Sequence, residues 1–357
     1  MNVIELPRLK DLNLSGIPKF KSLCNPTSVS NYDTVIQPLF NKKVKFSSIE
    51  KMFFSRMDNL IEIWPGELGA KLREMSIYKC HGLLNIFQAN SVKFMQDLEL
   101  LEVKFSSIEK LFFSQMDNLI EIWPGELGAK LREMSIYKCH GLLNIFQANS
   151  VKFMQDLELL EVKECRSVKV AFDLGGLIVR ELIVREGHPA VALFSLTNVK
   201  LIHLPKLSHV WMNNSARIQG FNHLRSLRGK GCGKLRNLFS SSLAKLFVKL
   251  QELEITECVV MEAVIAKEQR VDDEVTPSTI IFPQLTSLKL NALPNLMSFC
   301  PQDYTFEGSF LKNLQVINCP KMEALPSVFQ HIQELQRSND GFHEDVQKTE
   351  KAPRKVH

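Results

Sequence analysis

The side chains with the most chemical potential in this sequence are eight cysteines, nine histidines and a run of cations between Leu224 and Arg236. Thiolates at Cys-x-x-Cys spacing, or imidazoles at His-x-x-x-His spacing, would hold a metal, because such spacing turns two donors toward one point. Neither spacing occurs, and Cys80-His81 and Cys139-His140 are adjacent pairs whose side chains diverge on an extended chain. A nucleophilic serine needs a context such as Gly-x-Ser-x-Gly, and none is present. A phosphate cradle needs Gly-x-x-x-x-Gly-Lys-Ser/Thr. The nearest stretch, Gly229-Lys-Gly-Cys-Gly-Lys-Leu235, spaces its glycines one residue too closely and ends in Leu where a metal-binding hydroxyl belongs. These patterns predict no enzyme, no cofactor and no metal site.

The cysteines are instead periodic. Cys80, Cys139, Cys165, Cys232, Cys258 and Cys319 each close a phrase of the form L-x-x-L-x-L-x-x-C, with other apolar residues often replacing Leu. The phrase reads Leu72, Met75, Ile77, Cys80; then Leu157, Leu160, Val162, Cys165; then Leu250, Leu253, Ile255, Cys258; and Leu311, Leu314, Val316, Cys319. Clean intervals between successive cores, such as 52 to 75, 227 to 253 and 288 to 314, are 23 to 28 residues. That period is the signature of leucine-rich repeats. A coarser repeat is laid over it: residues 44–102 recur at 103–161 with two changes, Met52 to Leu111 and Arg56 to Gln115.

The elements that must position any functional residue follow from this pattern. In each L-x-L core a short strand turns its leucines inward and the intervening residues outward. One coil cannot bury its own apolar face, so neighbours must stack. The expectation is an α/β leucine-rich-repeat solenoid over residues 1–328, a horseshoe with a parallel sheet on its concave face and returning segments behind. Ser240–Leu250 has helical spacing after serines able to cap, and 90–98 is a weaker case repeated at 149–157. The core at Leu101-x-Val103 is followed by Leu111-x-Phe113 after only ten residues, so the solenoid should be irregular around 98–112. Residues 329–357 lose the pattern and read as a disordered polar tail. The acidic stretch Lys267–Thr276 reads as a solvated loop.

On such a scaffold the outward strand residues are the candidate partner-binding positions: Phe53, Ser76, Phe112, Ser135, Glu161, Lys200, Arg228, Glu254, Lys289 and Gln315, with Arg225 and Lys230 flanking Arg228. Phe53 and Phe112 stand where polar residues are expected, and exposed aromatics commonly anchor interfaces. Arg225, Arg228, Lys230, Lys234 and Arg236 have no acid among residues 224–236. They form either a solvated face or a match to an acidic patch on a partner. Trp64, Trp123 and Trp211 end a repeated L-x-x-(I/V)-W phrase and are expected at the buried coil edge.

Composition narrows the class further. The chain is 45% hydrophobic and 23% charged, with a formal charge of +5, too mild for the concentrated basic face of a nucleic-acid binder. Charges interrupt Met1–Leu14, so no signal peptide is read there, and no window approaches a membrane span. The expected location is cytoplasmic, with reduced thiols and unused sequons at Asn13 and Asn213.

The phrases Leu204-Pro-Lys-Leu-Ser-His-Val-Trp211, Met57-Asp-Asn-Leu-Ile-Glu-Ile-Trp64 and Leu293-Pro-Asn-Leu-Met-Ser-Phe299 alternate with coils ending in Cys, such as 157–165 and 250–258. Together with Leu235-Arg-Asn-Leu-Phe-Ser-Ser-Ser-Leu-Ala-Lys-Leu246, this resembles the repeat domain of plant coiled-coil nucleotide-binding leucine-rich-repeat disease-resistance proteins. The resemblance implies an intracellular immune receptor whose repeats sense a pathogen effector or a guarded host protein, or contact the receptor's nucleotide-binding domain. The phosphate loop of that domain is not in this sequence, so the chain reads as a fragment. The substrate-recognition repeats of an F-box-type ubiquitin ligase, and a non-functional gene fragment, remain open alternatives.

Overall fold

The L-x-L cores become strands stacked in one direction. The computed structural model describes residues 4–20, 23, 39–40, 44–61, 63, 71–83, 108–119, 122, 131–147, 156–173, 195–212, 221–266, 278–300, 304–307 and 311–322. In the first half lie β1 (Ile4–Glu5), β2 (Asp11–Ser15), β3 (Val44–Lys45), β4 (Lys51–Ser55), β5 (Glu74–Tyr78), β6 (Lys110–Ser114), β7 (Glu133–Tyr137), β8 (Asn144–Gln147), β9 (Leu159–Lys163) and β10 (Val170–Asp173). The second half adds β11 (Asn198–Ile202), β12 (His209–Trp211), β13 (Ser226–Lys230), β14 (Phe239–Ser240), α1 (Ser241–Ala244), β15 (Glu252–Thr256) and β16 (Ile265–Ala266). It ends with β17 (Ser278–Ile281), β18 (Ser287–Asn291), β19 (Tyr304–Glu307) and β20 (Asn313–Ile317).

Eleven of these strands form a single parallel sheet in the order β2-β4-β5-β6-β7-β9-β11-β13-β15-β18-β20. Register is the same at every step: Leu12, Met52, Met75, Leu111, Met134, Leu160, Val199, Leu227, Leu253, Leu288 and Leu314 lie side by side. The second and fourth residues of most strands are buried and the first and third are at least partly open, as a period of two requires. The fifth position is less uniform, and Ser55, Ser114 and Thr256 are buried there.

Each strand of the long sheet then turns with one residue in the left-handed region: Arg56, Lys79, Gln115, Lys138, Glu164, His203, Glu257, Ala292 and Asn318, with Gly16 and Gly231 in the same role. That conformation costs a residue with a Cβ on the order of 1 kcal/mol. It aims the backbone N–H at the next coil, as in Arg56 to the Tyr78 carbonyl (3.0 Å), Gln115 to Tyr137 (2.8 Å) and Ala292 to Ile317 (2.9 Å). The ladder is thus continued one residue past the strand.

The duplication junction does not break the sheet. β5 pairs directly with β6, Met75 level with Leu111 and Tyr78 with Ser114, so 108–114 is regular. The strand expected at 101–103 lies outside the described residues, as do Trp64, Trp123, the 90–98 segment, Lys267–Thr276 and the 329–357 tail.

Behind the long sheet the described returns are mostly short parallel strands: β8-β10-β12, β14-β16, β17-β19 and β1-β3. The helix expected over 240–250 is a single turn. Ser240 caps it by accepting from the Leu243 N–H (3.4 Å). Beyond Ala244 the bonds Leu246 N–H to Leu243 O and Leu250 N–H to Phe247 O span three residues, and Phe247 and Leu250 are drawn fully inward. Phe247 joins a stacked aromatic spine: Phe146 on Phe172 (5.5 Å), Phe172 on Trp211 (5.9 Å), Trp211 on Phe239 (5.3 Å). Trp211 is thereby buried at the coil edge, as its phrase predicts.

Candidate protein-binding face

The outward residues of the eleven strands form columns spaced by the strand separation of about 4.8 Å. The third-position column brings together ten of the twelve predicted residues in one line: Phe53, Ser76, Phe112, Ser135, Glu161, Lys200, Arg228, Glu254, Lys289 and Gln315. Arg225 precedes β13 and Lys230 ends it, so both flank the line.

The line has two chemically different halves. From β9 onward the charges are paired, mostly across strands. Glu161 accepts from Lys163 (2.8 Å) and Lys200 (3.5 Å), and Glu254 meets Lys289 (2.8 Å) and the Arg228 Nε (3.6 Å). Arg228 also reaches Glu252 through Nη2 (3.3 Å), and Lys230 pairs with Glu257 (3.2 Å). Two members of the cationic run, Arg228 and Lys230, therefore meet acids on the following coil. Partial burial of Glu161 works against its charge, but Lys163 and Lys200 outweigh it and hold the carboxyl below its ordinary range.

From β4 to β7 the third column alternates large and small: Phe53, Ser76, Phe112, Ser135. Phe53 is 36% exposed and Phe112 39%, and the small Ser76 lies between them in register. The fifth position alternates in the opposite phase, with Ser55 and Ser114 buried and Tyr78 and Tyr137 partly open. Lys79 lies over the Tyr78 ring (5.2 Å) and Lys138 over Tyr137 (4.8 Å). The first position carries Lys51–Glu74 (2.9 Å) and Lys110–Glu133 (2.9 Å) pairs. The two tyrosines and their lysines were missed by the sequence reading, although the large–small alternation at the fifth position was a visible signal.

The glycines of Gly229-Lys-Gly-Cys-Gly are accounted for by the coil. Gly229 is an inward strand residue and Gly231 (φ 64°) makes the left-handed turn. A Cβ on Gly233 would stand 2.8 Å from the Pro205 carbonyl of the preceding coil. Among the described residues no group of three or more His, Cys, Asp or Glu side chains could hold a metal ion. No helix of the described residues is long and apolar enough to cross a membrane.

A single parallel ladder, two inward and mostly apolar strand residues per coil and an open outer face define a leucine-rich-repeat solenoid. Residues 107–259 and 245–337 match the family model of plant disease resistance protein RPS2-like leucine-rich repeats, and the chain belongs to that family. It is 25% identical over 203 residues to the probable disease resistance protein At4g27220 of Arabidopsis thaliana, a match covering 52% of this chain. The matched part spans 22% of that relative's length. Among solved structures, the pneumococcal vaccine antigen PcpA aligns over 95% of this chain and 90% of its own at 13% identity. The TM-score of that alignment, 0.28, is too low to bear on the fold.

Proposed function

We propose that this chain is the recognition part of an intracellular plant immune receptor, acting in the cytoplasm without catalytic chemistry of its own. Its partner is a protein: a pathogen effector, a host protein that an effector alters, or the nucleotide-binding domain of the receptor. Family membership supports the setting. The observation that carries the reading is the pair of aromatic rings, Phe53 and Phe112, left partly exposed at positions where every other outward residue of the column is polar or charged. The paired charges of the C-terminal half already satisfy one another, which favours β4–β7 as the contact centre and the remainder as its rim.

The test fills the face without hollowing it. Ser76→Arg and Ser135→Arg put bulk beside the rings and leave the inward leucines untouched. Candidate effectors and host proteins are titrated one by one against the purified chain. Loss of a central contact of about 2 kcal/mol weakens binding roughly 30-fold. A partner whose affinity is unchanged by both substitutions, yet lost on Lys169→Glu behind the sheet, would refute the assignment to this face.

A further inference from the structure

The six cysteines that close the repeat phrase occupy a column of their own, two residues past each strand and facing the interior. The coils place Met57, Cys80, Met116, Cys139, Cys165, Leu204, Cys232, Cys258, Leu293 and Cys319 in succession, because each lies two residues beyond a registered strand end. Only two adjacent steps in that series are Cys beside Cys. We propose that Cys139–Cys165 and Cys232–Cys258 are two inter-coil dithiol sites that a two-electron oxidant such as hydrogen peroxide converts to disulfides, while Cys80 and Cys319 stay as thiols.

Geometry carries the assignment. Parallel coils hold equivalent Cα atoms about 4.8 Å apart, inside the range of about 4.4–6.8 Å that a disulfide spans. Tyr137 is level with Lys163, and Lys230 with Thr256, so the cysteines two residues beyond are level as well. All four sulfurs are fully buried and point the same way, each donating to the carbonyl two residues back: Cys139 at 3.6 Å, Cys165 at 3.3 Å, Cys232 at 3.8 Å and Cys258 at 3.5 Å. Interaction with Cys165 and then burial push Cys139 well above the ordinary thiol range, and interaction with Cys258 and then burial do the same to Cys232. Cys258 is lowered, first by its interaction with Cys232.

In each pair one sulfur attacks first. Its thiolate forms an S–O bond as the peroxide O–O bond breaks, and hydroxide leaves to become water with a proton. The sulfur of its partner then attacks the sulfenic sulfur: the S–S bond forms, the S–O bond breaks, and a second water leaves with the proton of the partner thiol. Two thiols lose two electrons and two protons, and one peroxide becomes two waters. Cys80 has no such route, because its column neighbours are the buried Met57 and Met116, and Cys319 follows Leu293.

The test uses the full chain, purified reduced and titrated with hydrogen peroxide. Remaining thiols are alkylated and peptides are mapped without reduction. The expected products are Cys139–Cys165 and Cys232–Cys258 linked peptides, with Cys80 and Cys319 recovered alkylated. Cys258→Ala should remove the second linkage and leave the first, which separates loss of a partner from general unfolding. Chain unfolded in urea before oxidation should give mixed linkages. No linked peptide at excess peroxide, or linkage of Cys80 or Cys319 as frequent as that of the four, overturns the proposal.

Discussion

Gly141→Ala and Gly229→Ala should change stability in opposite directions, although each adds one methyl group to the same solenoid. A Cβ built on Gly141 stands 2.4 Å from the Asp117 carbonyl oxygen and 2.8 Å from that of Leu119, both backbone atoms of the preceding coil. Real Cβ contacts essentially never fall under 3.0 Å, so the Asp117 carbonyl must retreat by more than half an ångström. It cannot do so freely, because the Asn118 amide beside it donates to the His81 carbonyl one coil further back (2.7 Å). Overpacking of this kind costs about 1–3 kcal/mol. Gly229 is the opposite case. It fills an inward position between Leu201 and Ile255, its φ is not positive, and a Cβ there meets nothing within 4 Å. Ala removes backbone freedom from the unfolded chain and adds apolar contact, a gain of about 0.5–1 kcal/mol. With a urea m-value of about 3 kcal/mol/M, the midpoint should fall by roughly 0.3–1 M for Gly141→Ala and rise by roughly 0.2–0.3 M for Gly229→Ala. Urea unfolding followed by Trp fluorescence reads both, and hydrogen exchange reads whether the loss is local to β6 and β7. Equal shifts of the same sign would mean that coil-to-coil distance does not govern these positions, and the reasoning would fail.

Two further outcomes follow from backbone and charge. Ala292→Gly should raise stability by several tenths of a kcal/mol and Ala292→Val should lower it by about 1 kcal/mol or more, because φ is 54° there; thermal melts returning the reverse order would count against the left-handed ladder. Glu161 is held below its unfolded pKa by Lys163 and Lys200, so its contribution is present above the unfolded carboxylate range and is lost as pH falls through the lowered folded value. Glu161→Gln should therefore lower stability at neutral pH, leave it nearly unchanged in strong acid and flatten the acid limb between the two; an equal loss at acid and neutral pH would contradict this.

The L-x-L cores were legible because a burial requirement with period two leaves a compositional trace at every coil. The left-handed turn left none. Arg56, Gln115, Glu164 and Ala292 share no side-chain chemistry, and what the position demands is a backbone geometry that many residues can be forced into by the coils on either side. The ion pairs were hidden for a different reason. Arg228 finds Glu252 and Glu254 across a coil, 24 and 26 residues along the chain, so a linear scan of 224–236 meets only cations. The helix over 240–250 failed because its spacing fits a tight three-residue turn equally well, and the aromatic spine selects the arrangement that buries Phe247. At the duplication junction the spacing argument expected an irregular solenoid, but the ladder pairs Met75 with Leu111 directly, and 108–114 keeps the register of the coils on either side.

The division of the outer face has an energetic meaning for recognition. Each exposed cross-strand pair contributes little to stability, about 0–1 kcal/mol. Burying one under a partner, however, strips water from two charges at once, and the partner must replace that hydration with equally good hydrogen bonds. A surface laced with Glu161–Lys200 and Glu254–Lys289 pairs is therefore poor ground for a dry contact centre. The β4–β7 quarter imposes no such cost at its third column, where two phenyl rings and two serines are all that need be covered. The duplication built that quarter. One two-strand unit contributes Phe53, Ser76 and Tyr78, and its copy contributes Phe112, Ser135 and Tyr137 in unbroken register. A partner that fits the first unit meets the second about two strand spacings away, roughly 9.6 Å. The gain from duplication is then a longer continuous contact rather than a second independent site. That distinction is measurable: filling Ser76 alone should weaken binding nearly as much as filling Ser76 and Ser135 together.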